Sequence, residues 1–408
     1  MLFVALMVVG MGNSLLFAVL PSASRIMGAP DAAVGLVYAV SALFYTVMSP
    51  VWGRISDRAG RKPILMLGLS GSVISMLGLG LALSAGLAGH LSVAWAILTL
   101  ALARAVFGMV SSATNPAAQA YVADRTAPEH RIDALAGLTA GFSLGAALGP
   151  GAASWIADGF GLASPIFVIA GLLLVAVVMV AVVLPERTEP QSKIGGPGLS
   201  SWGLARDRRL RPFLVVGAIA WIVQAVHLQS LNFYIMDRVG AGGRTATELA
   251  GPALSAGALA LLAAQLVAVP KLKLDARHLM VAGGLATGLA SLMMAAASSY
   301  SGVVFAFMIA SFGFGLSRPG FSSGASLAVE PNEQGGAAGL IAGLAGIGFM
   351  TAPLALVWYQ AGPLWAPYAA CGAALLVATV YAALSPRAAR AAARGRPDPT
   401  ALPGPDRP

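Results

Sequence analysis

Residues 116–150, PAAQAYVADRTAPEHRIDALAGLTAGFSLGAALGP, have a counterpart in outline at 319–353, PGFSSGASLAVEPNEQGGAAGLIAGLAGIGFMTAP. Pro116, Pro128 and Pro150 recur as Pro319, Pro331 and Pro353, and Gly145 recurs as Gly348, each displaced by 203 residues. Proline fixes one backbone torsion and glycine frees both, so a shared spacing of the two predicts a shared backbone path. The chain therefore reads as two equivalent halves.

Outward from this repeat, the composition sets the solvent. Of 408 residues, 58% are apolar and 10% charged, with a mean hydropathy of +0.80, whereas soluble chains carry about 25% charge. A bilayer core requires about 20 apolar residues per helix. Apolar windows broken by charge, Gly and Pro predict twelve spans, near 1–20, 31–52, 63–86, 92–121, 132–157, 163–184, 210–236, 248–270, 277–298, 301–327, 333–358 and 363–384. The first apolar stretch lacks a basic leader and has spanning length, so it reads as a helix and not as a cleaved signal. The expected fold is all-α: a polytopic membrane protein of twelve transmembrane helices in two pseudo-symmetric six-helix bundles, residues 1–184 and 210–384. A polar cytoplasmic linker at 185–209 joins them, and a basic, disordered tail follows at 385–408.

Charge placement gives the orientation. With both termini cytoplasmic, inner loops and tail hold 20 of the 25 Lys and Arg, and outer loops hold Arg25, Arg238 and Arg244. The net charge of +9 then faces lipid headgroups, and nucleic acid is not needed as a partner. One cysteine and four scattered histidines offer neither a disulfide framework nor a metal cluster. No nucleophile set or paired carboxylates argue for an enzyme, and no cofactor is expected.

Between the second and third spans lies Gly53-Arg54-Ile55-Ser56-Asp57-Arg58-Ala59-Gly60-Arg61-Lys62-Pro63. Gly53 and Gly60 permit a tight turn and close helix approach, and the cations favour the anionic leaflet. The stretch resembles the G-x-x-x-D-R-x-G-R-K signature of the major facilitator superfamily, carried here by Gly53, Asp57, Arg58, Gly60, Arg61 and Lys62. The resemblance implies that Asp57 latches the cytoplasmic ends of the two halves, with Arg131, Arg125 or the Gly335-Gly336 helix start as its target. The second-half counterpart, Pro270-Lys271-Leu272-Lys273-Leu274-Asp275-Ala276-Arg277, keeps charge without the glycines.

Arg104 lies well inside the fourth span, where an unpaired charge costs about 2.5–3.5 kcal/mol on insertion scales. Arg104-x-x-x-Gly108 is similar to a helix 4 motif of the superfamily whose Arg is linked to proton transfer. The fifth span reads Gly137, Gly141, Gly145, Gly149, Pro150, Gly151. Its glycines at steps of four form a groove for a neighbouring helix. The Gly141, Gly145, Gly149, Pro150, Gly151 pattern resembles the motif of proton-coupled antiporters and implies export.

Polar and aromatic stripes at helical spacing offer a substrate surface: Tyr38, Ser41 and Tyr45 on the second span, and Gln224, His227 and Tyr234 on the seventh. Asn13, Gln265, Phe314 and Arg318 add to it from the first, eighth and tenth spans. All sixteen carboxylates fall in loops, helix ends or the tail, so a central acid cannot carry a proton. The coupling candidates are Arg104, His227 and Asp57, with Asp31 and Asp237 as further peripheral titratable groups.

The resemblance implies a secondary active transporter working by alternating access, with protons exchanged for small amphipathic or metabolite-like molecules leaving the cell. A facilitative or proton-coupled uptake carrier for a small organic solute is the alternative, which the missing acid favours and the helix 5 pattern opposes. A scaffold or receptor requires less than these residues provide. The expected setting is the bacterial inner membrane, as a monomer among lipid.

Overall fold

The computed structural model describes residues 1–127, 130–185, 204–330 and 333–386, and among these it is helical, without strands. Twelve long helices follow in order. They are α1 Leu2–Ile26, α2 Asp31–Ala59, α3 Arg61–Leu87, α4, α5 Arg131–Phe160 and α6 Ser164–Val183, then α7 Arg211–Val239, α8, α9 Ala276–Ala296, α10 Tyr300–Ala328, α11 Gln334–Ala361 and α12 Ala366–Leu384. Helix α4 joins Val93–Val110 to Thr114–Ala123 through a 3-10 turn, Ser111–Ala113. Helix α8 runs Gly243–Ala263, widens to a π turn at Ala264–Ala268 and ends at Val269–Leu272. Eleven of these helices are long and apolar enough to cross a membrane by length and composition. The 30-residue α5, rich in Gly and Ala, makes the twelfth.

Helices α1–α6 pack mainly on one another, and so do α7–α12. Successive helices alternate in direction, so α1 begins and α12 ends on one face of the bundle, called here the terminal face; its opposite is the distal face. The expected spans are all present, with one change of boundary that alters the motif. Helix α2 continues to Ala59, so Gly53 to Arg58 are helical rather than looped. A side chain at Gly53 would meet only Pro116, at 3.9 Å, so close approach is not its reason. Gly60 makes the turn alone, at φ 96° and ψ 151°, a region open essentially to glycine.

The α8–α9 turn solves the same problem without glycine. Lys273 adopts φ 47° and ψ 31° there, the only left-handed non-glycine among the described residues. The two halves also share a device just past these turns. Lys62 at the start of α3 donates to the Ala181 carbonyl at the end of α6 (2.8 Å). Arg277 at the start of α9 donates to the Ala383 carbonyl at the end of α12. In each half a cation satisfies orphan carbonyls at the C-terminus of the sixth helix.

Residues 186–203 of the expected linker and 387–408 of the expected tail lie outside the described residues, as do the side chains of Asp57 and Arg131 and the surroundings of Gly335. The expected latch between them therefore lies outside as well. Arg125, the other target considered, donates to the Pro185 carbonyl (2.8 Å) and stacks 3.6 Å over Tyr121. Arg61 of the motif binds Ser56 Oγ (2.8 Å) and Asp124 (3.0 Å). Where the chain enters the second half, Arg209 bridges Asp207 (2.9 Å) and both oxygens of Glu333 (3.0 Å each). That guanidinium holds the Asp207 carboxyl below its usual range, and the Glu330 backbone N–H, with Arg209 beside it, does the same for Glu333.

Candidate functional site

The glycine ladder of α5 faces the backbone of α1. Side chains at Gly141, Gly145 and Gly149 would run into the carbonyls of Phe3, Met7 and Met11, each one turn further along α1. Small residues at steps of four let two helices touch backbone to backbone. The Gly-Pro-Gly end of the ladder does something different. Gly151 N–H donates to Ser255 Oγ on α8 (2.9 Å), and a side chain at Gly251 of α8 would strike Ser154 and the Pro150 carbonyl. The motif thus closes the first half along one stretch and contacts the second half along the next.

The distal face is sealed across the two halves. Arg25 at the end of α1 grips Asp237 at the end of α7 through both oxygens (2.6 and 2.9 Å) and Asp31 at the start of α2 (2.7 and 2.9 Å). Tyr359 of α11 donates to the same Asp237 (2.7 Å), and Arg25 lies 5.0 Å from the Phe233 ring. One turn deeper, Asn232 of α7 donates to the Ala18 carbonyl (2.6 Å) and to Ser22 (3.1 Å) of α1. Phe17 of α1 stacks on Phe349 of α11 at 6.2 Å. A fork-shaped guanidinium shared by two carboxylates fixes both position and orientation. Toward the terminal face no hydrogen bond or ion pair joins the halves among the described residues. Gly137 of α5 and Gly339 and Gly343 of α11 have open space beside them there.

The predicted cavity residues fall into three groups. In the first half, Arg104 is 3% exposed; it donates to Asn13 Oδ1 (3.2 Å) and lies 4.3 Å over Phe107. Its Nε and Nη1, and the Tyr38 hydroxyl nearby, have no hydrogen-bond partner. Tyr45 accepts from Asn115 (3.3 Å), and Ser41 lies where α2 crosses Gly108 of α4. In the second half, Phe314 meets Trp221 edge-on at 4.9 Å and Arg318 lies 5.5 Å over the same indole. Gln224, one turn from Trp221, is buried with Oε1 unpartnered, and Gln265 sits in the π turn of α8.

The third group turns away from the first half. His227 is fully buried; its Nε2 is 3.2 Å from Ser291 of α9, with Phe307 at 6.4 Å and Tyr368 at 5.7 Å. Tyr234 donates to the Met294 carbonyl (2.8 Å) and packs on Tyr368 at 4.5 Å. Both face α9 and α12 of their own half. The sequence stripes did not single out Trp221 or Asn232. Asp237 and Asp31 were visible as peripheral titratable groups and Arg25 as one of the few cations on the expected outer side, but not their pairing.

Residues 2–272 match the model of the Major Facilitator Superfamily. The chain belongs to the major facilitator superfamily. Within that superfamily, multidrug resistance protein 2 of Bacillus subtilis (strain 168) is 34% identical over 176 residues, which cover 43% of this chain and 41% of that protein. The match thus spans about two fifths of the length of that relative. Two solved structures share the superfamily fold over nearly all of the chain. The nucleoside transporter NupG superposes with a TM-score of 0.73 at 12% identity, covering 94% of this chain and 99% of that one. A bacterial homologue of the human lysosomal transporter Spinster, inward-facing and unoccupied, gives 0.72 at 16% identity over 98% of both.

Proposed function

We propose that this superfamily member is a secondary transporter that exports small amphipathic or metabolite-like molecules in exchange for protons. The observation that carries the reading is the asymmetry between faces: the distal face is locked across the halves by Arg25, Asp237, Tyr359 and Asn232. The terminal face has no such bond among the described residues. With both termini cytoplasmic, as the Lys and Arg distribution argues, this is an inward-open state of an inner-membrane protein. The bundles 1–184 and 210–384 then rock about the 185–209 linker and expose one central site to each side in turn.

Export is supported by the Gly145–Gly151 pattern and by the name of the Bacillus subtilis relative. Coupling is assigned to Arg104, His227 and Asp57, together with the peripheral Asp237, whose carboxylate links Arg25, Tyr359 and, through Arg25, Asp31. A facilitative or proton-coupled uptake carrier is the second reading, favoured by the lack of any carboxylate deep in a span. Everted vesicles with an imposed proton gradient separate the two. Collapse of the gradient on adding a transported compound, lost in Asp57→Asn and Arg104→Ala, is the expected result. Counterflow of a labelled solute without any gradient collapse would overturn proton-coupled export.

A further inference from the structure

Arg318 has a setting that packing does not account for. It is exposed, yet it lies ten residues from the end of α10, about 15 Å deep along the helix. Its direction follows from the contacts of α10. The Gly313, Ser317 and Gly320 side abuts α9, Phe314 meets Trp221 of α7, and Gly315 abuts Leu261 and Ala264 of α8. At 100° per residue, position 318 falls between the α7 and α8 sides, opposite α9. Helices α7 and α8 both reach the first half, through Asn232 to Ala18 and Ser255 to Gly151. Arg318 therefore faces the space between the halves, on the part of it that is unsealed.

Among the described residues no carboxylate meets it there. The acids of the second half stand at helix ends, and the nearest along α10 is Glu330, twelve residues and about 18 Å away. Among the described residues Arg318 makes no hydrogen bond or ion pair; it lies over the Trp221 face at 5.5 Å. That stacking leaves the guanidinium edge free, and its planar fork matches a carboxylate, sulfonate or phosphate. Trp221 and Phe314 supply an aromatic wall beside it. Arg104, the other deep cation, is enclosed and contacts Asn13 and Phe107.

We infer that Arg318, held against Trp221, is an anion-binding subsite of the central cavity, and that the cavity takes amphipathic organic anions with an aromatic or aliphatic body. This rests on the transport reading above and names its substrate class. The test uses purified full-length protein in neutral-lipid nanodiscs with three dansyl probes: dansylglycine, a carboxylate; dansylglycinamide, its neutral counterpart; and dansylethylenediamine, a cation. Binding is read from dansyl emission. Dansylglycine is expected to bind about tenfold tighter than the amide, the scale of one charge-assisted contact. Arg318→Gln should bring that ratio to about one and Arg318→Lys should restore part of it, with thermal unfolding reporting that both variants are folded.

An unchanged ratio in folded Arg318→Gln, or a wild-type preference for the amide or the amine, would overturn the assignment. Loss of dansylglycine binding when phosphatidylglycerol is added to the nanodisc would give the subsite to a lipid headgroup and overturn it as well. Flux in proteoliposomes separates this inference from the reading beneath it. Proton-coupled flux of amine or amide with no preference for the anion defeats the inference alone. Tight, Arg318-dependent anion binding with no flux of any probe defeats the transport reading alone.

Discussion

Arg104 and Arg318 are the two deep cations, one in each half, and they are placed in opposite ways. Arg104 is closed in by Asn13 and Phe107; Arg318 opens onto the space between the halves. The Ala103 and Ala310 carbonyls are counterparts, accepting from Ser75 of α3 and Thr287 of α9, so the position after them is the cation Arg104 in one half and the buried Ser311 in the other. The halves therefore share a backbone plan and place their charge at different depths. The repeat carries geometry through Pro and Gly, while the chemistry sits on the residues between them.

The strongest way to break this comparison is through the geometry the halves share. Gly145 abuts the Met7 carbonyl and its counterpart Gly348 abuts the Trp221 carbonyl. Both set the fifth helix of a half against the first. Gly145→Val and Gly348→Val should each destabilise by about 3 kcal/mol or more, because the obstacle is backbone. Thermal unfolding in detergent checks this; a tolerated Gly348→Val with an intolerant Gly145→Val would mean that the halves are built differently.

The chemistry is sharpened by Arg104→Met. It removes a buried charge with two unpartnered nitrogens, so stability should stay level or rise by about 1–3 kcal/mol. Transport should fall about tenfold or more if the charge is functional. A parallel loss of stability and transport would make Arg104 structural. At the distal face, Asp237→Asn leaves Arg25 with Asp31 alone and should weaken the seal by about 1–2 kcal/mol. Alkylation of a Met236→Cys reporter, in a Cys371→Ser background, should then quicken about tenfold; unaltered labelling would show that Asn232 and the aromatic contacts hold the face without the ion pair.

The two turns separate from each other as well. Gly60→Ala forces a side chain into a glycine-only region and should cost about 1–3 kcal/mol. Lys273→Gly exchanges a strained left-handed lysine for a freer backbone, and the two effects nearly cancel, within about 1 kcal/mol. Similar penalties at both turns would contradict the difference in their torsions.

The twelve helices were legible because membrane spans announce themselves in composition. Their ends were not. Helix α2 runs on through Arg54 and Arg58 to Ala59, since leaving the hydrocarbon does not unwind a helix and only the torsions of Gly60 do. The π turn of α8 and the 3-10 turn of α4 leave no mark in hydropathy. The stripe Gln224, His227 and Tyr234 follows helical spacing on α7, yet His227 binds Ser291 and Tyr234 donates to the Met294 carbonyl, both of α9. A helix surrounded on every side hides which face meets the cavity, so periodicity finds the stripe and not its neighbour. The Arg25–Asp237 pair spans 212 positions, and nothing local in the chain announces it.

The crossing of α5 and α8 has a mechanical consequence. The contacts that Gly151 and Gly251 make there meet Ser255, Ser154 and the Pro150 carbonyl, groups no longer than a hydroxymethyl. Such a surface has almost no rotamers to exchange and no interlocking knobs to lift apart. Under the rocking motion proposed above, it would serve as a low-friction bearing, over which one bundle tilts against the other while the lever arms, at Arg25 on one side and the terminal ends of the helices on the other, swing through the larger arcs.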